Sequence, residues 1–99
     1  MRTMMKISIP AKSGNDAIAD GSLPRIIQTT LETLKPEAAY FFPENGKRTS
    51  LLFFDLKDPS QIPVVAEPFF MGLQAEVSLT PVMNPQDLQT GLGHLAKKA

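Results

Sequence analysis

Polar side chains recur at alternating positions in three runs of the sequence that have the pattern of β-strands. Lys6 and Ser8 lie in the first run, Tyr40 in the second, and Glu76 and Ser78 in the last. A carboxylate such as Glu76 has the chemistry of a general base for a small carbon acid, and a phenol or an ammonium group beside it would polarise the substrate oxygen. Glu76, assisted by Tyr40 or Lys6, is therefore a candidate catalytic group.

The predicted strands support three other interpretations. Asp55, at the end of the third strand, is an alternative base if the register of that strand turns it to the same face. A few polar groups within an apolar cavity would also orient a small organic ligand without catalysis. The candidate ligand-binding residues are Lys6, Ser8, Tyr40, Phe42 and Ser78. In the simplest alternative, Lys6 and Glu76 pair across neighbouring strands at a dimer interface or face solvent.

Composition excludes several classes of function. The 99 residues carry ten basic and ten acidic side chains and have no long run of one charge, so we expect neither nucleic acid nor a membrane surface as a partner. Cysteine and tryptophan are absent, and His94 is the single histidine. We therefore expect no disulfide, no metal site and no cofactor. No apolar run approaches the length of a membrane span, and a chain without cysteine suits the reducing cytoplasm.

The first half of the chain predicts a strand, a helix and a hairpin. Residues 4–9 alternate as a strand, and a turn is expected over Ser13 to Asp16. A helix is expected from Ser22 to Lys35, preceded by a short helical lead-in, because apolar residues recur at helical spacing and Pro36 follows. Strands over 38–42 and 49–56 flank Asn45 and Gly46, a dipeptide typical of tight hairpin turns.

The second half predicts a further helix and strand. Asp58 and Pro59 indicate a helix start, and Pro68 should make that helix irregular before it ends near Gly72. A fourth strand alternates over residues 74–80. Asn84 and Pro85 open a short last helix, from Gln86 to about Gln89, and the tail of the single domain 1–99 covers about 84–99.

The order βαββαβ predicts an α+β, ferredoxin-like fold, in which a four-stranded antiparallel sheet carries two helices on one face. The first and third strands should be central. Met4, Tyr40 and Phe42, with either Phe53 or Phe54, would then leave apolar surface on the open face of the sheet. Such a face commonly marks a protein interface, so we expect a homodimer.

The chain resembles the dimeric α/β-barrel superfamily, and more narrowly a small bacterial family without an assigned activity. The narrower resemblance lies in the stretches 21–24, 34–41, 46–49, 58–63, 66–70 and 81–83. It implies a homodimer whose sheets close face to face around a small lumen. Some superfamily members use a tryptophan or an internal histidine, and this chain has neither. The functions that remain compatible with the resemblance are those of a binding or structural dimer. The alternative is a cofactor-independent isomerase-like or lactone-handling enzyme that uses a lumen carboxylate.

Overall fold

A computed structural model of the chain describes residues 1–98, and the predicted tail residue Ala99 lies outside the described residues. Strands and helices follow one another in the order βααββαβα. The elements are β1 (Arg2–Ile9), α1 (Ala11–Asp20), α2 (Ser22–Leu34), β2 (Ala38–Glu44), β3 (Lys47–Asp55), α3 (Gln61–Leu73), β4 (Glu76–Pro81) and α4 (Pro85–Lys98).

The four strands form one antiparallel sheet in the order β2-β3-β1-β4. This order places β1 and β3 in the centre, as the sequence predicts, and the arrangement is compatible with a ferredoxin-like fold. In the central rows Met5 lies opposite Leu52 on one side and Leu79 on the other. The register fixes which side chains share each face of the sheet, because neighbours along a strand point to opposite faces.

The hydrophobic core lies between the sheet and helices α1, α2 and α3. Alternate residues of β1 are buried there, as are Leu52 and Phe54 of β3. The predicted apolar side of α2 is confirmed: Leu23 and Leu34 are buried, and the intervening apolar residues pack against the core. The helix ends where Lys35 adopts a left-handed conformation (φ 45°) immediately before Pro36.

The predicted turn at Ser13 to Asp16 is wrong, because these residues form the middle of α1. Gly14 is buried, and a Cβ atom there would lie 2.6 Å from Nη1 of Arg48. The small residue thus allows α1 to approach β3 closely. That packing, which local sequence does not reveal, outweighs the turn preference of the segment.

Helix α3 is also more regular than predicted, since it runs through Pro68 to Leu73. Val65, Phe69 and Leu73 are all buried in the core. Their burial stabilises the segment in helical form although Pro68 removes one backbone donor. The helix ends at Gln74, which has a left-handed conformation (φ 53°).

The last helix begins as predicted and ends much later. The Asn84 side chain accepts a hydrogen bond from the Asp87 N–H at 2.8 Å, and the Asp87 carboxylate accepts one from the Asn84 N–H at 3.0 Å. This reciprocal cap starts α4, which continues through Gly91 and Gly93 instead of ending near Gln89. Glycine lowers helix propensity by about 1 kcal/mol but does not prohibit helix. The short last helix and the short lead-in before Ser22 that the sequence predicts are thus the full helices α4 and α1.

Candidate functional site

One face of the sheet has no helix packed on it, and it carries the residues that the sequence singles out. We call this the open face. Its members, assigned from the strand register, are Arg2, Met4, Lys6 and Ser8 of β1, Ala38, Tyr40, Phe42 and Glu44 of β2, Lys47, Thr49, Leu51, Phe53 and Asp55 of β3, and Glu76, Ser78 and Thr80 of β4. Of the two candidate rings, Phe53 lies on this face and Phe54 is buried under the helices.

The open face has a polar end, which is a depression of about 350 Å³. We call it the polar depression. Its lining consists of charged and hydroxyl side chains together with one amide and one apolar residue: Lys6, Ser8, Glu44, Asn45, Lys47, Glu76, Val77 and Ser78. The structure thus brings together four of the predicted site residues, Lys6, Ser8, Glu76 and Ser78.

Two ion pairs organise this depression, and neither is the predicted one between Lys6 and Glu76. Lys6 Nζ lies 2.6 Å from Glu44 Oε1, and Lys47 Nζ lies 3.9 Å from Glu76 Oε1. The Glu44 side chain is 42% exposed and that of Glu76 is 77% exposed. Both pairs are at least partly exposed, so water screens the charges of all four groups.

A tight hairpin turn positions two of the four charges. Asn45 (φ 53°) and Gly46 (φ 74°) are both left-handed, as a two-residue turn of this type requires, which confirms the predicted hairpin. The turn sets Glu44 opposite Lys47 at the ends of β2 and β3. Sequence reasoning missed both residues as site members. The strand order could have revealed them, because it brings the β2–β3 hairpin to the end of the sheet where β1 ends and β4 begins.

Tyr40 lies on the open face but outside the polar depression. It shares a row of the sheet with Lys6, with Leu51 of β3 between them. At roughly 4.8 Å between strands, the backbones of Tyr40 and Lys6 are about 10 Å apart. The Tyr40 ring is 60% exposed and belongs to the apolar part of the face.

Asp55 lies at the opposite end of the open face, opposite Arg2 of β1. Ser8, which shares a row with Glu76, lies six positions after Arg2 along β1, so the two rows are about 20 Å apart at roughly 3.4 Å per residue. Within one chain, the candidate catalytic residues Asp55, Glu76 and Tyr40 are therefore not gathered into a single site.

The environment of Asp55 also makes it a weak base. The Lys57 ammonium donates a hydrogen bond to its carboxylate at 2.8 Å, and the N-terminal ammonium of Met1 donates another. These two groups, Lys57 first, lower the pKa of Asp55 to about 2. A carboxylate with so low a pKa accepts a proton poorly at neutral pH.

Between these ends the open face is apolar. Met4, Phe42, Leu51 and Phe53 are each partly exposed to solvent, and Tyr40 is largely exposed. Contiguous apolar surface of this kind is rare on a monomer and is typical of an interface.

No group of three or more His, Cys, Asp or Glu side chains within residues 1–98 is close enough to hold a metal ion. In the same range, no helix is both long and apolar enough to cross a membrane. Comparison with models of protein families finds no match, and no curated protein is significantly similar to the chain. The described residues thus define an α+β protein whose open sheet face has an apolar middle and a charged depression at one end.

Proposed function

We propose that the protein is a homodimer that joins its open faces in a dimeric α/β barrel and binds a small polar organic molecule in the polar depression. The observation that carries this proposal is the division of one uncovered sheet face into an apolar part and a charged, concave end. As part of the same proposal we place the protein in the cytoplasm, since it has no cysteine to oxidise.

The apolar part of the open face supports the dimer. A second copy would remove Phe42, Leu51 and Phe53 from water, and burial of such side chains is the main favourable term in association. Arg2 and Glu37, paired at 2.7 Å, lie at the end of the sheet away from the polar depression. Charged groups beside an apolar centre are the usual arrangement of an interface rim.

Helix α4 supports the dimer independently. Leu88, Leu92 and Leu95 follow at spacings of four and three residues, and all three are exposed. An isolated helix of 14 residues is only marginally stable in water, so α4 needs a surface to cover its leucines. The radius of gyration of 16.1 Å exceeds the roughly 13 Å of a compact domain of this size, and α4 packs extensively against no other element of the described residues. A second copy offers that surface.

The charges of the polar depression favour a ligand with both hydrogen-bond donors and acceptors. Lys6 and Lys47 can bind a carboxylate or carbonyl oxygen, and Glu44 and Glu76 can bind an amino or hydroxyl group. Ion pairs this exposed contribute only about 0 to 1 kcal/mol, so a ligand exchanges with them at little cost. A second copy placed over the open face would narrow the depression and exclude water.

Catalysis by Glu76, Tyr40 and Asp55 is the weaker hypothesis, because these residues lie apart within one chain. Binding needs only the residues that already share the depression. The enzyme hypothesis would gain support if a dimer brought Tyr40 of one subunit close to Glu76 of the other.

Native mass spectrometry of protein purified without added ligand tests both parts of the proposal. We expect a dimer that carries a stoichiometric additional mass. Phe53→Lys, which places a charge in the apolar part of the open face, should give a monomer. Ala19→Lys adds the same charge to the exposed side of α1 and should remain a dimer. A monomeric native protein would refute the dimer.

The retained mass tests the ligand site separately. Lys6→Gln should lose the additional mass while the protein stays dimeric. Lys12→Gln is the matched control, since Lys12 pairs with Asp16 at 2.9 Å on α1, far from the open face. A dimer without any additional mass, or one whose additional mass survives Lys6→Gln, would refute binding in the polar depression.

A further inference from the structure

A second concavity lies on the other side of the sheet, between α2 and the strands β2 and β3. It has a volume of about 440 Å³, within the roughly 300 to 1,000 Å³ usual for small-molecule pockets. Its walls are largely apolar and include Leu23 and Ile27 of α2, Phe41 of β2 and Phe69 of α3. We call this the helix-side cavity.

The cavity exists because α2 does not cover β2. Helix α2 packs mainly against α1 and α3. Phe41 points to the helix side of β2, in register with Ser50, yet it is 53% exposed. A large aromatic side chain that faces a cavity instead of the core leaves apolar surface for a ligand to cover.

One cationic group borders these apolar walls. Arg48 of β3 lies on the helix side of the sheet and lines the cavity. Its Nη2 donates to Asn15 Oδ1 at 3.0 Å, and its Nη1 donates to the Ala11 carbonyl oxygen at 3.5 Å. Both acceptors are uncharged. Among residues 1–98, no carboxylate lies within ion-pair distance of Arg48.

The guanidinium group of Arg48 is held in place. It lies against α1 at Gly14, where a Cβ atom would come within 2.6 Å of Nη1. A guanidinium has five N–H donors, and two of the nitrogens of Arg48 each use one donor on α1. Ser50, which is 7% exposed, adds a hydroxyl to the lining of the same cavity. A fixed cation with free donors thus stands at the edge of an apolar cavity.

We infer that the helix-side cavity binds an apolar monocarboxylate, such as a medium-chain fatty acid or a similar acid with an apolar body. The apolar body lies between Ile27, Phe41 and Phe69, and the carboxylate accepts hydrogen bonds from Arg48. Hydrogen bonds between a guanidinium and a carboxylate are stronger than those between neutral groups, and they supply the preference for an acid. This site is separate from the polar depression, because the sheet lies between them.

Isothermal titration calorimetry with sodium octanoate and with 1-octanol tests the inference on the native protein. The two probes have the same apolar chain and differ in charge. We expect octanoate to bind at one site per chain and about tenfold more tightly than octanol, as the loss of a charge-assisted hydrogen bond implies. Equal affinities for the two probes, or no octanoate binding, would overturn the inference.

Two variants and one control variant locate the site. Arg48→Gln should weaken octanoate binding about tenfold and leave octanol binding unchanged, whereas Arg25→Gln, on the exposed side of α2, should change neither. Ile27→Trp should fill the cavity and abolish binding of both probes. The backbone amide NMR shifts of Phe41 and Ser50 should move on addition of octanoate to the native protein. Shifts confined to the residues of the open face, or octanoate affinity unaffected by Arg48→Gln, would contradict the assignment.

Discussion

The hairpin turn that places Glu44 and Lys47 in the polar depression gives a sharp test of the fold. At Gly46, φ is 74°, and a Cβ atom added there would have no neighbour within 4 Å. Gly46→Ala therefore introduces no clash, only the left-handed backbone conformation that side chains disfavour by roughly 1 to 2 kcal/mol. Alanine also restricts the unfolded chain, which returns about 0.4 to 1 kcal/mol. The expected net loss is about 1 kcal/mol.

Urea unfolding at a single protein concentration measures this loss, since dimerisation would make the midpoint depend on concentration. A loss of about 1 kcal/mol corresponds to a melting temperature lower by about 4 to 8 °C for a domain of this size. Gly46→Asn is the matched control, because asparagine tolerates the left-handed region better than alanine. The reasoning is refuted if Gly46→Ala unfolds at the native midpoint, or if the asparagine variant is the less stable of the two.

Three further perturbations follow from the packing and the charges. Leu73→Ala should lower the free energy of unfolding by about 2 to 5 kcal/mol because Leu73 is fully buried. Val64→Ala, on the exposed side of the same helix, should change it by less than about 0.5 kcal/mol. Equal urea midpoints for the two variants would contradict this. The pKa of Asp55 is about 2 in the folded chain, below its ordinary value of 3.8, so its ionised form contributes stability above about pH 4 that is lost as the pH falls towards 2. Asp55→Asn should flatten the pH dependence of the urea midpoint in that range, and an unchanged slope would count against the lowered pKa. Gly14→Ala should displace the Arg48 guanidinium and weaken octanoate binding in a protein that remains folded by circular dichroism, and native affinity would show that the guanidinium need not lie against α1.

Part of the polar depression could be predicted from the sequence. Period-two alternation placed Lys6, Ser8, Glu76 and Ser78 on one face, because a strand turns successive side chains to opposite sides. Their ion-pair partners were not predictable from that pattern. Lys6 pairs with Glu44 because antiparallel pairing brings the β2–β3 hairpin to the same end of the sheet.

The local sequence pattern also could not predict that Asp55 and Glu76 lie far apart. Both are carboxylates on strands of the same sheet, and both face the same side. Only the register shows that they lie at opposite ends, which weakens the hypothesis of a catalytic pair.

Some features of the helices were also predictable from local sequence, and others depend on distant contacts. The apolar side of α2 and the cap of α4 are local signals, and both appear in the structure. The continuity of α3 through Pro68 depends on burial of Phe69 and Leu73, and α1 packs closely against Arg48 of β3 at Gly14. These are contacts between segments distant in sequence.

The sequence by itself determined the strand alternation, the Asn45 and Gly46 turn, the main apolar helix and the order of the four strands, because each depends on side chains within a few residues of one another. The tertiary structure decided which of Phe53 and Phe54 enters the core, which lysine meets which glutamate, and that Arg48 borders an apolar cavity. Those outcomes depend on strand register and on where the helices lie over the sheet. Both are set by packing between residues far apart in the chain, which no local pattern records.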